Sequence, residues 1–152
     1  LINSSVRGAT ARIRFYRIAL GMSSAEQGLG ASEMSRILAD YYGDTRLTCD
    51  WDVVEDSPRT EVQLALLALL CLATALPAGG ALSVARTGDE WCVTADGQLR
   101  VDPPLWDILT GAAAPPSLQP AEVQFAMLPE CARLAARRVS YEASETTLTI
   151  RF

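Results

Sequence analysis

Arg7, Arg14 and Arg17 are separated by seven and then three residues in a stretch with helical patterning, so they fall on one side of a helix. Guanidinium groups in such a row suit carboxylates and phosphates, and they speed the approach of an acidic partner more than they tighten it. Each arginine alone reads as a solvated side chain; the group reads as a basic face. Arg12 lies nearer the apolar side of the helix and reads as structural. Residues 1–21 contain these four arginines and no acid, a charge of +4, whereas the remainder sets 9 arginines against 18 acids. The net charge is −5, and an acidic body of this kind argues against a nucleic-acid binder.

The other groups able to do chemistry are few. Histidine is absent, which removes the commonest metal ligand, general base and phosphoryl acceptor from these residues. Ser57 and Ser117 therefore have no imidazole to activate them. Asp96 and Asp102 have no third oxygen ligand nearby in sequence and read as solvated acids, not a metal site. Cys49, Cys71, Cys92 and Cys131 lack any C-x-x-C spacing, and three stand in apolar patterns. They read as buried free thiols of a reducing compartment.

The elements that must position these groups follow from periodicity. A first helix over 2–21 ends at Gly21. Ile2, Val6, Ala9, Ile13, Tyr16 and Leu20 step by four and three along it, forming a heptad seam. Ala11, Phe15, Ile18 and Met22 form a second stripe on a neighbouring face. Two stripes predict packing from two directions, and the expected partners are an upstream helix and a second subunit. A polar linker over 23–30 precedes an amphipathic helix marked by Met34, Ile37, Leu38 and Tyr41 and stopped by Gly43. "RLTCDWDV" alternates as a half-buried strand.

The next helix is predicted to begin near Pro58, with Thr60 and Gln63 as a capping box, and to run to Leu76. "LSVAR" and "WCVTA" make a hairpin, "PPLWDILTG" a short helix or turn, and "AAAPPSLQP" a loop. Residues 122–138 are helical but kinked or split at Pro129. "RVSYEA" and "TLTIRF" close the chain as a second hairpin. The apolar run over 64–73 is too short to span a bilayer, and the expected location is the cytoplasm. The fold class is α+β: a bundle helix followed by an α/β sandwich on a mixed sheet.

On these residues the segment 33–152 resembles the ATP-binding domain of sensor histidine kinases, the Bergerat type. "RTEVQLALLALLCLATALPAGG" is similar to that family's R-x-x-Q-x-L-x-N-L-x-x-N-A-x-x-x-x-P-x-G-G. Aligned on Pro77 and Gly80, the two asparagines fall on Leu67 and Cys71. In "ADGQL", Ala95 stands at the adenine-binding aspartate, Gly97 is kept, and Leu99 replaces the second glycine. "PPSLQPAEV" stands where a glycine-rich phosphate box is expected. The resemblance implies a degenerate nucleotide site, with no ATP and no other cofactor.

The helix "GATARIRFYRIALG" narrows this further. Its Arg12, Arg14, Phe15, Arg17, Ala19 and Gly21 resemble the second bundle helix of the ChpT-type bacterial histidine phosphotransferases. That resemblance implies three regions: a bundle helix over 1–22, the linker over 23–30, and a kinase-like domain without ATP motifs over 31–152. It also implies a cytoplasmic homodimer joined through a four-helix bundle, with no nucleic-acid or membrane partner. Its partners would be the receiver domain of a hybrid histidine kinase and those of response regulators, with Mg²⁺ only on the receiver. The acceptor histidine is expected upstream of Leu1, so no residue here takes the catalytic role. With that helix the protein is a phosphotransferase and not an ATP-dependent kinase. Without it, the chain reads as a dimeric module that binds and sequesters regulators.

Overall fold

Helix α3 (Arg59–Thr74) organises the molecule, because it is apolar on nearly every side: Val62, Leu64, Leu66, Leu67, Leu69 and Leu72 are all buried. A helix of that kind has to be enclosed. In the computed structural model, which describes residues 2–21, 28–112 and 117–152 (with the side chains of 2–4 left aside), three elements enclose it. They are a sheet, helix α5 (Gln124–Leu134) and helix α1 (Ile2–Ala19).

The sheet has five strands: β2 (Leu47–Trp51), β4 (Gly80–Thr87), β5 (Glu90–Asp96), β6 (Ser140–Ala143) and β7 (Thr147–Arg151). Their order is β2-β4-β5-β7-β6, with β2 and β4 parallel and the other pairs antiparallel. The single parallel pair follows from connectivity, since α3 is the crossover between β2 and β4. Leu82, Val84, Trp91, Val93, Ala95, Leu148 and Ile150 alternate inward to the helical layer. On the opposite face the Thr94 and Thr149 hydroxyls meet at 3.1 Å across the β5–β7 register. Gly88, at φ 61°, makes the tight β4–β5 turn, a conformation glycine adopts without steric cost. A short helix α4 (Pro103–Trp106) and a 3₁₀ turn (Asp107–Thr110) pack Trp106 edge-on to Phe125 of α5.

The start of α3 is tied to the sheet by one carboxylate. Glu61 Oε1 accepts from Trp91 Nε1 at 2.9 Å and from Arg137 Nη2 at 2.8 Å, while Arg137 Nη1 donates to the Asp89 carbonyl at 2.6 Å. The hairpin turn and the chain leaving α5 are thereby fastened to one point.

Several local expectations are corrected. Thr60 and Gln63 form no capping box; the Gln63 amide reaches α1 instead. Helix α3 ends at Thr74, with Ala75 as its cap, two residues short of Leu76. Of the kink or split expected at Pro129, the split is absent: helix α5 runs through it from Gln124 to Leu134. Phe125, Leu128 and Ala132 are buried on both sides of the proline, and that packing outweighs the hydrogen bond it cannot donate. Within the expected linker, Gly28–Leu29 forms a short strand, β1, paired with β3 (Ser57–Pro58), and Leu29 is buried. Residues 22–27 and 113–116 lie outside the described residues. So do Met22 of the second stripe and the side chain of Ile2 in the seam.

The second stripe has a different partner from the expected one. Ala11, Phe15 and Ile18, together with Ala19, are buried against α2 (Ala31–Tyr42) and α3 of the same chain, not against an upstream helix or another subunit. The kinase-like body supplies the cover itself.

Candidate docking surface

Helix α1 is held on the body by two devices. The Phe15 ring stacks on Tyr41 of α2, centroids 3.9 Å apart, and the Tyr16 and Tyr41 hydroxyls meet at 3.0 Å. Burial, then the bond to Tyr16, pushes the Tyr41 hydroxyl well above its ordinary pKa; the Arg12 guanidinium nearby opposes that rise. At the other end the Gln63 amide donates to the carbonyls of Ala19 at 3.2 Å and Gly21 at 3.1 Å. Carbonyls of a last helical turn have no intrahelical donor, so this side chain caps α1 from α3. Helix α1 and the body share one core.

The other face of α1 is left uncovered among the described residues. Val6 and Ile13 are 58% and 59% exposed, Leu20 43%, Tyr16 39%, and Ala9 is exposed as well. The structure thus turns the described part of the heptad seam outward and the Phe15 stripe inward.

Arg7, Arg14 and Arg17 are all exposed, yet they do not line one recess. Because α2 runs back along α1, Arg14 and Arg17 face its start and Arg7 faces its end. Arg14 and Arg17 border a groove of about 570 Å³ shared with Arg36 of α2 and Arg59 at the start of α3, over a floor that includes Ile18, Leu29 and Ile37. Arg7 lies in a separate recess beside Asp40 and Asp44. Sequence spacing finds neither Arg36 nor Arg59, because they reach the groove only through helix packing.

The five positions matched to nucleotide contacts lie elsewhere, in and around the core. Leu67, Cys71 and Ala95 are fully buried, and Leu99 packs against the core. Gly97 is at φ 157°, and a Cβ there would come within 2.9 Å of Leu76 Cδ2. Burial alone pushes the Cys71 thiol well above its ordinary pKa. Among these five no polar side chain faces a cavity, where a nucleotide site needs an acid for adenine and an amide oxygen for the metal. Among the described residues no cluster of His, Cys, Asp or Glu is placed to hold a metal ion, and no helix is long and apolar enough to cross a membrane.

Known proteins share the sequence pattern and the fold. Residues 31–147 match the family model of the histidine phosphotransferase C-terminal domain. The chain is 31% identical over 131 residues to the protein phosphotransferase ChpT of Brucella abortus (strain 2308), covering 82% of this chain and 63% of that protein's length. A solved bacterial phosphotransferase superposes over 99% of this chain and 75% of its own, with a TM-score of 0.82 and 28% identity. The histidine kinase domain of the Erythrobacter litoralis EL346 blue-light activated kinase covers 97% of this chain and 72% of its own, at a TM-score of 0.53 and 13% identity. That last likeness is one of fold alone.

Proposed function

The chain belongs to the histidine phosphotransferase family, and on that premise we propose that it serves a two-component phosphorelay without using ATP. Its partners are the receiver domain of a hybrid histidine kinase and the receivers of response regulators. An imidazole nitrogen of the protein attacks the phosphorus of the receiver's aspartyl phosphate. The N–P bond forms, the acyl P–O bond breaks, and the aspartate leaves as a carboxylate. The reverse exchange then loads the next receiver. The acceptor histidine lies outside these 152 residues, which contain none. Mg²⁺ belongs to the receiver.

The observation that carries this reading is the division of labour along the chain. The positions that hold nucleotide in a kinase are occupied by Leu67, Cys71, Ala95 and Leu99, whereas α1 keeps an outward apolar stripe and a basic face. Phosphoryl transfer of this type depends mainly on positioning and charge stabilisation. The outward stripe supports a homodimer through a helical bundle, and the body then acts as a fixed second docking surface beside it.

The test uses the complete gene product mixed with phosphate-labelled receiver domains, without ATP. Transfer of label to the protein in an acid-labile, base-stable form is expected. Label that stays on the receiver while the two proteins bind would replace the relay with a sequestering module. ATP-dependent labelling of the protein by itself would overturn the reading altogether.

A further inference from the structure

Four arginines from three elements meet at the groove between α1 and α2: Arg14, Arg17, Arg36 and Arg59, with Glu33 as the one acid on its border among the described residues. Among the described residues Arg14, Arg17 and Arg36 have no ion pair or hydrogen bond, whereas Arg133, Arg137 and Arg151 are all paired with glutamates. In a chain with 18 acids this is a local excess of positive charge, not a general one. Like charges gathered on one groove repel each other, and the repulsion is relieved when an anion enters. The planar guanidinium fork matches a carboxylate in two-point geometry.

The floor is apolar, formed by Ile18, Leu29 and Ile37, so the groove combines a basic rim with a greasy base. We propose that it receives an acidic segment of a partner protein, carboxylates on Arg14, Arg17 and Arg36 and one apolar side chain on the floor. This rests on the reading above in taking the partner to be a receiver domain. A nucleic acid fits less well, since the sequence outside residues 1–21 carries net negative charge that would repel a phosphate backbone extending past the groove. The walls come from α1, α2 and the start of α3, which the Gln63 clamp and the β1–β3 pair hold in register. A partner seated here therefore reads the angle between the bundle helix and the body. Arg36 and Arg59, which belong to the body, become partner contacts alongside the bundle-helix arginines.

The experiment compares the complete wild-type protein with Arg36→Glu, Arg36→Ala and, as a control on another face, Arg100→Glu. Binding to an unphosphorylated receiver domain is titrated at low and high salt, and circular dichroism checks folding. Arg36→Glu should weaken binding about tenfold or more at low salt, Arg36→Ala less, and Arg100→Glu little, with the differences shrinking at high salt. In label transfer, Arg36→Glu should raise the receiver concentration needed for half-maximal rate and leave the maximal rate near wild type.

A wild-type protein that binds through Arg36 but takes no label would retain the groove and remove the relay. Label transfer with equal binding by all variants would do the opposite. Absence of receiver binding by the wild type overturns the groove proposal, as does displacement of the receiver by inorganic phosphate alone, which would make it a free-anion site.

Discussion

Cys71 sits on α3 among leucines with no exposed surface, and its thiol is pushed well above its ordinary pKa by that burial. Cys49 on β2 is pushed up to about 12 by burial and by the nearby Asp50 and Asp52 charges. Thiolate is the reactive form, so at pH 8 Cys49 is held almost wholly as the unreactive thiol, and its reactivity rises as the pH approaches the raised pKa. Iodoacetamide labelling of the native protein at pH 8, read by mass spectrometry, should leave Cys71 unmodified and Cys49 nearly so. Urea should release both. Rapid modification of Cys71 without denaturant would mean that the position matched to the kinase asparagine is open to solvent, contrary to its packing. That match rests on the spacing to Pro77 and Gly80 in the sequence. The complete burial of Cys71 was not legible there, because a sequence shows which side chain stands at a position and not which neighbours close over it.

Gln63 and Phe15 decide how the elements sit together. The Gln63 amide spans from α3 to two carbonyls 42 and 44 residues earlier, so Gln63→Ala leaves the end of α1 without its donor. A loss of about 1 kcal/mol is expected in urea unfolding, with faster amide exchange concentrated in the last turns of α1. Unchanged exchange there would show that the stack on Tyr41 alone holds the helix. The five strands of the main sheet, the hairpins and the short helix at Pro103 were readable because alternation and turn residues are local signals, whereas the two-residue strands β1 and β3 carry no such pattern. Gln63 misled for the same reason: three residues from Thr60 it resembles a capping box, and its true partners are distant in sequence. Of the kink or split that a local rule predicts at Pro129, the split does not occur, since tertiary packing on both sides of it maintains one helix. Arg36 could not be joined to Arg14 and Arg17 at all, because only the antiparallel packing of α1 and α2 brings them to one groove.

Over the whole molecule, α1 is an 18-residue helix, about 27 Å long, with one apolar stripe spent on its own body and the other facing outward. The heptad pattern showed both stripes and could not say which would be covered from within. Phe15 is fully buried whereas Ile13, two residues away, is 59% exposed, so the two positions test different things. Ile13→Glu removes apolar contact only from whatever meets the outward stripe. The complete wild-type protein should sediment as a dimer, and Ile13→Glu as a monomer, with the thermal unfolding of the body little changed. Phe15→Ala should instead destabilise the body, by about 3–5 kcal/mol, because it empties the stack against Tyr41 inside one chain. A wild-type protein that stays monomeric at micromolar concentration, or an Ile13→Glu variant that stays dimeric, would remove the outward stripe from the assembly. The body and the basic groove would then have to dock partners one chain at a time. If Ile13→Glu breaks the dimer and also slows label transfer while receiver binding persists, the dimer contributes to the geometry of transfer and the groove to capture, two functions carried by neighbouring faces of a single helix.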